Sequence, residues 1–135
     1  MSIRNWGPVR DCMRKDVTEV DGKLDVLSAL KIMKNVGATS LIVKRRDEND
    51  EIGLLLFSDI AKEVIAKDRA PERVNVYEIM AKPVLTVRPD MEIRYCARLF
   101  ENFGISHAPV VENGKVAGMV SYYLLVLHGI MPDLD

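Results

Sequence analysis

The sequence predicts a mixed α/β (α+β) fold made of two similar units, and three observations support this prediction. Most of the 135-residue chain aligns with itself as an internal repeat. Each copy alternates between helical hydrophobic periodicity and short apolar runs that are typical of buried strands. The composition, with 48% hydrophobic and 29% charged residues, is that of a globular chain and not of a disordered one.

The repeat appears when the sequence is shifted by 67 positions. The aligned positions include Val9 with Val76, Met13 with Met80, Asn35 with Asn102, and Gly37 with Gly104. After one loop, which is two residues longer in the first copy, the shift becomes 65 and Gly53 aligns with Gly118. Hairpin loops tolerate insertions well. A single insertion therefore accounts for the whole change of register.

Each copy predicts the order helix, strand, strand, helix after a leading segment, "KDVTEV" or "KPVLTV". The first helices, "DVLSALKIMKNVG" and "EIRYCARLFENFG", end at glycine. The strands are "SLIVK" and "HAPVV", then "IGLLLF" and "AGMVS", and the last helices are "SDIAKEVIAK" and "YYLLVLHG". The stretch between the copies is charged and contains Pro71. We therefore predict a first repeat at 1–68, a linker at 69–75 and a second repeat at 76–135.

The net charge, the apolar runs and the residue counts exclude several classes of function. A net charge of −1 and a pI of about 6.1 provide no basic field for nucleic acid or an anionic membrane. No apolar run is long enough to span a membrane, and the first residues do not resemble a signal peptide. Two cysteines and two histidines, far apart, form neither a disulfide framework nor a metal-site spacing. We expect a cytoplasmic protein that is not an enzyme, because nucleophile–base pairs, phosphate-binding loops and metal motifs are missing.

Three segments together resemble a tandem pair of CBS domains, the cystathionine-β-synthase-type module. They are "VGATSLIVK…IGLLLFSDI", "VYEIMAKPVLTVRPDMEI" and "FGISHAPVVENGKVAGMVS", and the resemblance covers about Val9 to Leu127. It implies two pseudo-symmetric βαββα repeats packed through their sheets. It also implies an adenosine-containing ligand (AMP, ADP, ATP or S-adenosylmethionine) in the cleft between repeats, and no required cofactor. Since the chain carries no effector domain, the resemblance implies an unknown partner protein that it regulates.

The family motif is a glycine, two apolar residues, Ser or Thr, two variable residues, and Asp at the start of the second helix. The first copy has Leu56 in place of the hydroxyl but keeps Asp59, whereas the second keeps Ser121 but has Leu124 in place of Asp. The resemblance assigns the carboxylate to the ribose diol and the hydroxyl to phosphate or ribose. A charged hydrogen bond is worth about 1.5–3 kcal/mol and a neutral one about 0.5–1.5 kcal/mol. We therefore expect the better cleft to contain Asp59, beside Ser58.

The resemblance assigns further positions around the ligand. Ser106 and His107 would meet the phosphates, and their counterparts in the first copy are Thr39 and Ser40. Val17, Thr18 and Ala38 would line the slot for the base. Phosphate favours the charged form of His107, so affinity should fall as pH rises through its pKa.

Structural alternatives remain open for these residues. Ser and Asp are common helix N-caps, so Asp59 and Ser121 could serve the helices that they begin. His107 could be a histidine with satisfied hydrogen bonds at a strand edge. The rival interpretation of the whole chain is therefore a dimerisation or interaction module with degenerate clefts that bind no ligand.

The last helix predicts a homodimer. "YYLLVLHGIM" is apolar nearly all round, and a helix without a polar face must be covered on all sides. In a chain this small, a second subunit is the natural cover. We expect Tyr122, Tyr123, Leu125 and Val126 near the interface.

Overall fold

The structure, a computed structural model, describes residues 4–132. It contains two compact units. The central unit is Val17–Val84, and the terminal unit consists of residues 4–16 together with 85–132. The fold class is the predicted mixed α+β one, but these units do not follow the predicted boundaries of the repeats.

The central unit contains the predicted helices and strands in the predicted order. They are β1 (Glu19–Val20), α1 (Val26–Val36), β2 (Ser40–Val43), β3 (Gly53–Leu56) and α2 (Phe57–Ile60), which continues as a π-helical turn, Ala61–Ile65. A 3-10 helix, Pro71–Arg73, and the short helix α3 (Val76–Ile79) complete the unit.

The ends of the strands form two opposite edges of the central sheet. Strand β1 is parallel to β2, with Val20 opposite Val43, and β2 is antiparallel to β3, with Val43 opposite Gly53. The starts of β1 and β2 and the end of β3 therefore share one edge, which we call the ligand edge. The opposite edge, where β1 and β2 end and β3 begins, is called the loop edge.

The terminal unit repeats this architecture with a smaller sheet. After a 3-10 helix, Val9–Asp11, come α4 (Ile93–Phe103), β4 (His107–Glu112), β5 (Lys115–Ser121) and α5 (Tyr122–Ile130). Strands β4 and β5 pair antiparallel. A parallel bridge from Val87 to Val110 occupies the position that β1 has in the central unit.

The glycine stop signals of the two copies adopt the same conformation. Gly37 and Gly104 cap α1 and α4 with φ of 69° and 63°. This left-handed region is unfavourable for residues with a Cβ, which is why glycine commonly ends helices in this way. The two helix ends match as the 67-residue shift predicts.

The end of the predicted linker contributes to a hydrophobic core. Val74 is 2% exposed and packs in the core of the central unit together with Val76 and Ile79. In the same way, Val9 and Cys12 lie in the core of the terminal unit. Each unit therefore combines the helices and strands of one repeat with the first segment of the other, residues 76–84 or 9–16.

Matching hydrogen bonds hold these exchanged segments. The N–H of Val76 donates to the carbonyl of Leu24 at 2.8 Å, and that of Val9 donates to the carbonyl of Met91 at 2.7 Å. The two bonds are related by the 67-residue shift. The exchange is thus a property of both repeats and not a local irregularity.

Candidate functional site

Asp59 lies near the start of α2, at the ligand edge of the central sheet. Its Oδ2 accepts the backbone N–H of Leu56 at 2.9 Å. Burial raises the pKa of this carboxyl group, and the bond from Leu56 partly opposes that rise. An ionised carboxylate offers about four acceptor positions, so the bond to Leu56 leaves capacity for other donors.

The other predicted residues of the central unit reach the same edge. Thr18 leads into β1 and accepts the N–H of Ile42 through its carbonyl at 2.9 Å, while Ser40 at the start of β2 pairs with Leu56. The sheet therefore gathers Val17, Thr18, Ala38, Thr39, Ser58 and Asp59 at one edge. Val17, Thr18 and Ala38 are half-buried, whereas Thr39 and Ser58 are exposed.

The predicted polar residues of the terminal unit also lie together. His107 at the start of β4 is paired with Ser121 at the end of β5. The Oγ of Ser106 lies 2.8 Å from Nδ1 of His107. Burial lowers the pKa of His107, which favours the neutral imidazole. Ser106, His107 and Ser121 thus form one polar cluster at the edge that corresponds to the ligand edge.

The split motif has a structural explanation in the starts of α2 and α5. Ser121 caps α5, and its Oγ accepts the N–H of Leu124 at 3.3 Å. In the central unit the bond runs the other way, from the N–H of Leu56 to Asp59. A capping box contains both bonds, one from the N-cap side chain and one to the third helical residue. Each unit therefore keeps one half of a capping box.

The predicted interface helix divides into a buried and an exposed face. Leu125 is 3% exposed and packs in the core of the terminal unit, so it differs from the other predicted interface residues. Tyr123, Val126 and Ile130 are 70%, 56% and 50% exposed and share one face of α5. The predicted apolar surface is therefore present on α5, but Leu125 lies in the core and is not part of that surface.

Cysteine and metal chemistry find no support in residues 4–132. Cys12 and Cys96 are buried and free, and burial is the main reason that their pKa values rise to about 12 and about 11. Such thiols stay protonated at neutral pH and are poor nucleophiles. Among the same residues, no three His, Cys, Asp or Glu side chains are grouped as metal ligands, and no helix is long and apolar enough to cross a bilayer.

Sequence reasoning missed a charged groove at the loop edge. The loop "KRRDEND" carries charges of both signs, which is typical of a solvated hairpin loop. In the structure the Asp50 carboxylate turns inward and pairs with Lys82 from the segment after α3, and with Arg46 at 3.1 Å. The sequence signal for this site is a difference between the repeats, because the second copy lacks the basic residues of the first.

The sequence matches the CBS domain family twice, over residues 9–66 and 76–126. It is 38% identical over 113 residues to a homoserine O-acetyltransferase of Methanosalsum zhilinae, which covers 83% of this chain and 22% of that enzyme. More generally, the chain spans 22% to 61% of the length of the first curated relatives that it matches.

Solved structures agree with this result. A hexameric CBS-CP12 protein from bloom-forming cyanobacteria superposes with a TM-score of 0.87 at 34% identity, over 90% of this chain and 70% of that one. A CBS domain pair in complex with 5′-methylthioadenosine and S-adenosylmethionine superposes with a TM-score of 0.75 at 25% identity, over 88% of this chain and 96% of that one.

Proposed function

Because the chain belongs to the CBS domain family, we propose that it is a regulatory module that binds an adenosine-containing ligand through Asp59. The observation that carries the proposal is the half-buried carboxylate of Asp59, which lies at the same edge as the half-buried residues Val17, Thr18 and Ala38. The CBS domain pair with bound S-adenosylmethionine and methylthioadenosine supports the ligand class.

The chemistry of the ligand edge suits a nucleoside. The two hydroxyls of a ribose diol are donors, and one carboxylate accepts both. The carboxylate of Asp59 is already oriented by the N–H of Leu56, so little side-chain entropy is lost when the ribose binds. Val17, Thr18 and Ala38 supply the neighbouring surface for the base.

The polar cluster of the terminal unit suits the phosphate part of a nucleotide. Ser106 offers a hydroxyl and His107 offers a ring nitrogen. An anion beside His107 favours the imidazolium, so phosphate binding would reverse the effect of burial and take up a proton. Affinity for a phosphate-bearing ligand should therefore rise as pH falls.

Regulation follows if the ligand binds two conformations of the chain with different affinities. The output would act on a separate or covalently attached protein. The homoserine O-acetyltransferase that this chain matches over 22% of its length supports a role beside an enzyme. The module itself would carry out no reaction.

A thermal-shift panel tests the proposal. It compares AMP, ADP, ATP, S-adenosylmethionine and GMP on the wild type, Asp59→Ala and Asp25→Ala. Asp25 is the matched control because its carboxylate also caps a helix, through the N–H of Ser28 at 2.9 Å. A ligand at a hundred times its Kd adds about 2.7 kcal/mol, which is a rise of roughly 10 °C in Tm for a domain of this size.

We expect an adenosine ligand to raise Tm in the wild type and in Asp25→Ala, and to have no effect on Asp59→Ala. If Asp59→Ala responds like the wild type, the carboxylate does not hold the ribose and the proposal is wrong.

The second candidate function is an interaction module without a ligand. The split capping box favours it, since Asp59 and Ser121 each satisfy a backbone N–H at a helix start. The exposed apolar face of α5 would then be the working surface. No shift with any nucleotide, together with a stable dimer in solution, would select this function over the first.

A further inference from the structure

A second concave site lies at the loop edge of the central unit, at the opposite end of the sheet from Asp59. It is a groove of about 820 Å³, within the range of small-molecule sites. Its lining comes from the ends of β1 and β2, the loop before β3, and the segment around α3.

The groove carries an excess of positive charge. Its lining has five cationic side chains, Lys23, Lys44, Arg45, Arg46 and Lys82, and two carboxylates, Asp21 and Asp50. The single carboxylate of Asp50 pairs with both Arg46 and Lys82 and offsets one of their two positive charges. Lys23 and Lys44 are exposed and take part in no ion pair within residues 4–132.

The other wall of the groove is apolar. The ring of Tyr77 is 54% exposed, and Met80 packs partly buried against the core beside it. The Tyr77 backbone is fixed by a hydrogen bond from its N–H to the carbonyl of Gly22 at 2.9 Å. The groove is thus lined by an exposed aromatic ring as well as by lysine side chains.

The fold itself does not require these basic residues, as the terminal unit shows. Lys44 donates its N–H to the carbonyl of Val20 at 2.9 Å, and Val111 does the same to Val87 at 2.9 Å. By the 67-residue shift, Val111 corresponds to Lys44, Asp90 to Lys23, and Glu112 to Arg45. The same backbone therefore folds without the basic residues.

From these observations we propose that the groove binds a phosphorylated small molecule, whose phosphate contacts Lys23 and Lys44 and whose apolar or aromatic part rests on Tyr77 and Met80. Ammonium groups bind phosphate through charge-assisted hydrogen bonds. A concave site with one charged and one apolar wall fits an amphipathic small anion better than an extended acidic peptide. The proposal does not depend on Asp59 or on the function proposed above.

The test is an NMR titration of ¹⁵N-labelled protein with phenyl phosphate and with inorganic phosphate, at constant ionic strength. We expect shifts at the amides of Gly22, Lys44 and Tyr77, with phenyl phosphate binding more tightly than phosphate. The combined substitution Lys23→Ala and Lys44→Ala should weaken both ligands by about tenfold. Tyr77→Ala should reduce the affinity for phenyl phosphate to that for phosphate.

Two controls make the outcome specific. Lys31→Ala with Lys34→Ala removes the same charge from α1 in the same unit, and these residues do not line the groove. That variant and Asp59→Ala should both bind phenyl phosphate like the wild type. Equal weakening by the two lysine pairs would show a general charge effect and overturn the proposal. So would a hexaglutamate peptide that shifts these amides when phenyl phosphate does not.

Discussion

Leu54 and Ala81 exchange two backbone hydrogen bonds, from Leu54 N–H to the Ala81 carbonyl at 3.0 Å and from Ala81 N–H to the Leu54 carbonyl at 2.9 Å. Met119 and Arg14 do the same, with both bonds at 2.9 Å. The two bridges are related by the shifts of the repeat. Each joins the last strand of one repeat, β3 or β5, to the first segment of the other, so the bridges hold the exchanged segments in place.

Each bridge is preceded by a glycine, Gly53 before Leu54 and Gly118 before Met119. We predict that replacing either glycine by a larger residue lowers the stability of the fold. A Cβ on Gly118 would lie 2.7 Å from the carbonyl oxygen of Arg14, and a Cβ on Gly53 would lie 2.5 Å from Sδ of Met80. Gly118→Ala should lower the free energy of unfolding by about 1–3 kcal/mol, because a backbone atom must move. Gly53→Ala should cost less, because a methionine side chain adapts. Urea denaturation measures both.

Gly129→Ala is the control for these substitutions. Its Cβ would meet Ile93 at an ordinary 3.4 Å within a helix, so the change should not destabilise the protein and should add up to about 1 kcal/mol, because alanine is the better helix former. Met80→Ala should relieve Gly53→Ala in a double-mutant cycle. A cost for Gly118→Ala no greater than that for Gly129→Ala would contradict the packing described here.

The elements of this fold were predictable from local patterns, but the composition of the units was not. Helical periodicity and the glycine stops at Gly37 and Gly104 mark α1 and α4, because these signals lie within a few residues of each other. The segment that contains Val74 has charged neighbours and a proline, which is typical of a linker. Its burial depends on hydrogen bonds to residues about 50 positions away, such as that from Val76 to Leu24.

The candidate sites show the same limit. The family motif identified Asp59 and Ser121, but only the structure shows that each holds one half of a capping box. The pairing of Asp50 with Lys82 joins residues 32 positions apart, so no pattern within the loop predicts it.

The ion pairs of Asp50 should make the free energy of unfolding depend on pH in the acid range. The partners Lys82 and Arg46 hold the pKa of its carboxyl well below the usual value of about 3.9. As pH falls, the unfolded chain therefore binds the proton before the folded chain does. The stabilisation by these ion pairs is present above about pH 3.9 and is lost as the pH falls below it. Asp50→Asn should show a smaller fall in unfolding free energy between about pH 5 and 3.

Urea denaturation at several pH values measures this difference. Asp47→Asn is the control, since it removes another carboxylate of the same loop, one that accepts the N–H of Asn49. Identical slopes for the wild type and Asp50→Asn would mean that the ion pairs do not form in solution.

The titration of His107 should make the free energy of unfolding depend on pH near neutrality. Because burial lowers its pKa, the unfolded chain takes up this proton at higher pH than the folded chain. The unfolding free energy should therefore decrease as pH falls below the unfolded value of about 6.5. His107→Gln should remove that decrease. Calorimetry should also show that nucleotide affinity falls between about pH 5.5 and 8 for the wild type alone, and a flat profile would exclude His107 from the phosphate site.

The exposed face of α5 predicts a homodimer. Tyr123→Glu together with Val126→Glu places two charges on this face and should give a folded monomer in light scattering, with the wild type a dimer at micromolar concentration. Phe103→Glu is the control, because Phe103 is 63% exposed and lies on α4. A monomeric wild type, or a dimer that survives the double substitution, would show that this face is not the interface.

Leu124→Asp should restore the missing half of the motif in the terminal unit. The new carboxylate would accept the N–H of Ser121 and complete the capping box, while the half-buried leucine is lost, so stability should change by less than about 1 kcal/mol. In an Asp59→Ala background, this substitution should restore the thermal shift with an adenosine ligand that Asp59→Ala abolishes. Leu124→Asn separates charge from shape and should restore less of the shift, since a neutral amide offers a single acceptor oxygen. A restored capping box without a restored shift would limit the second copy of the motif to a structural role.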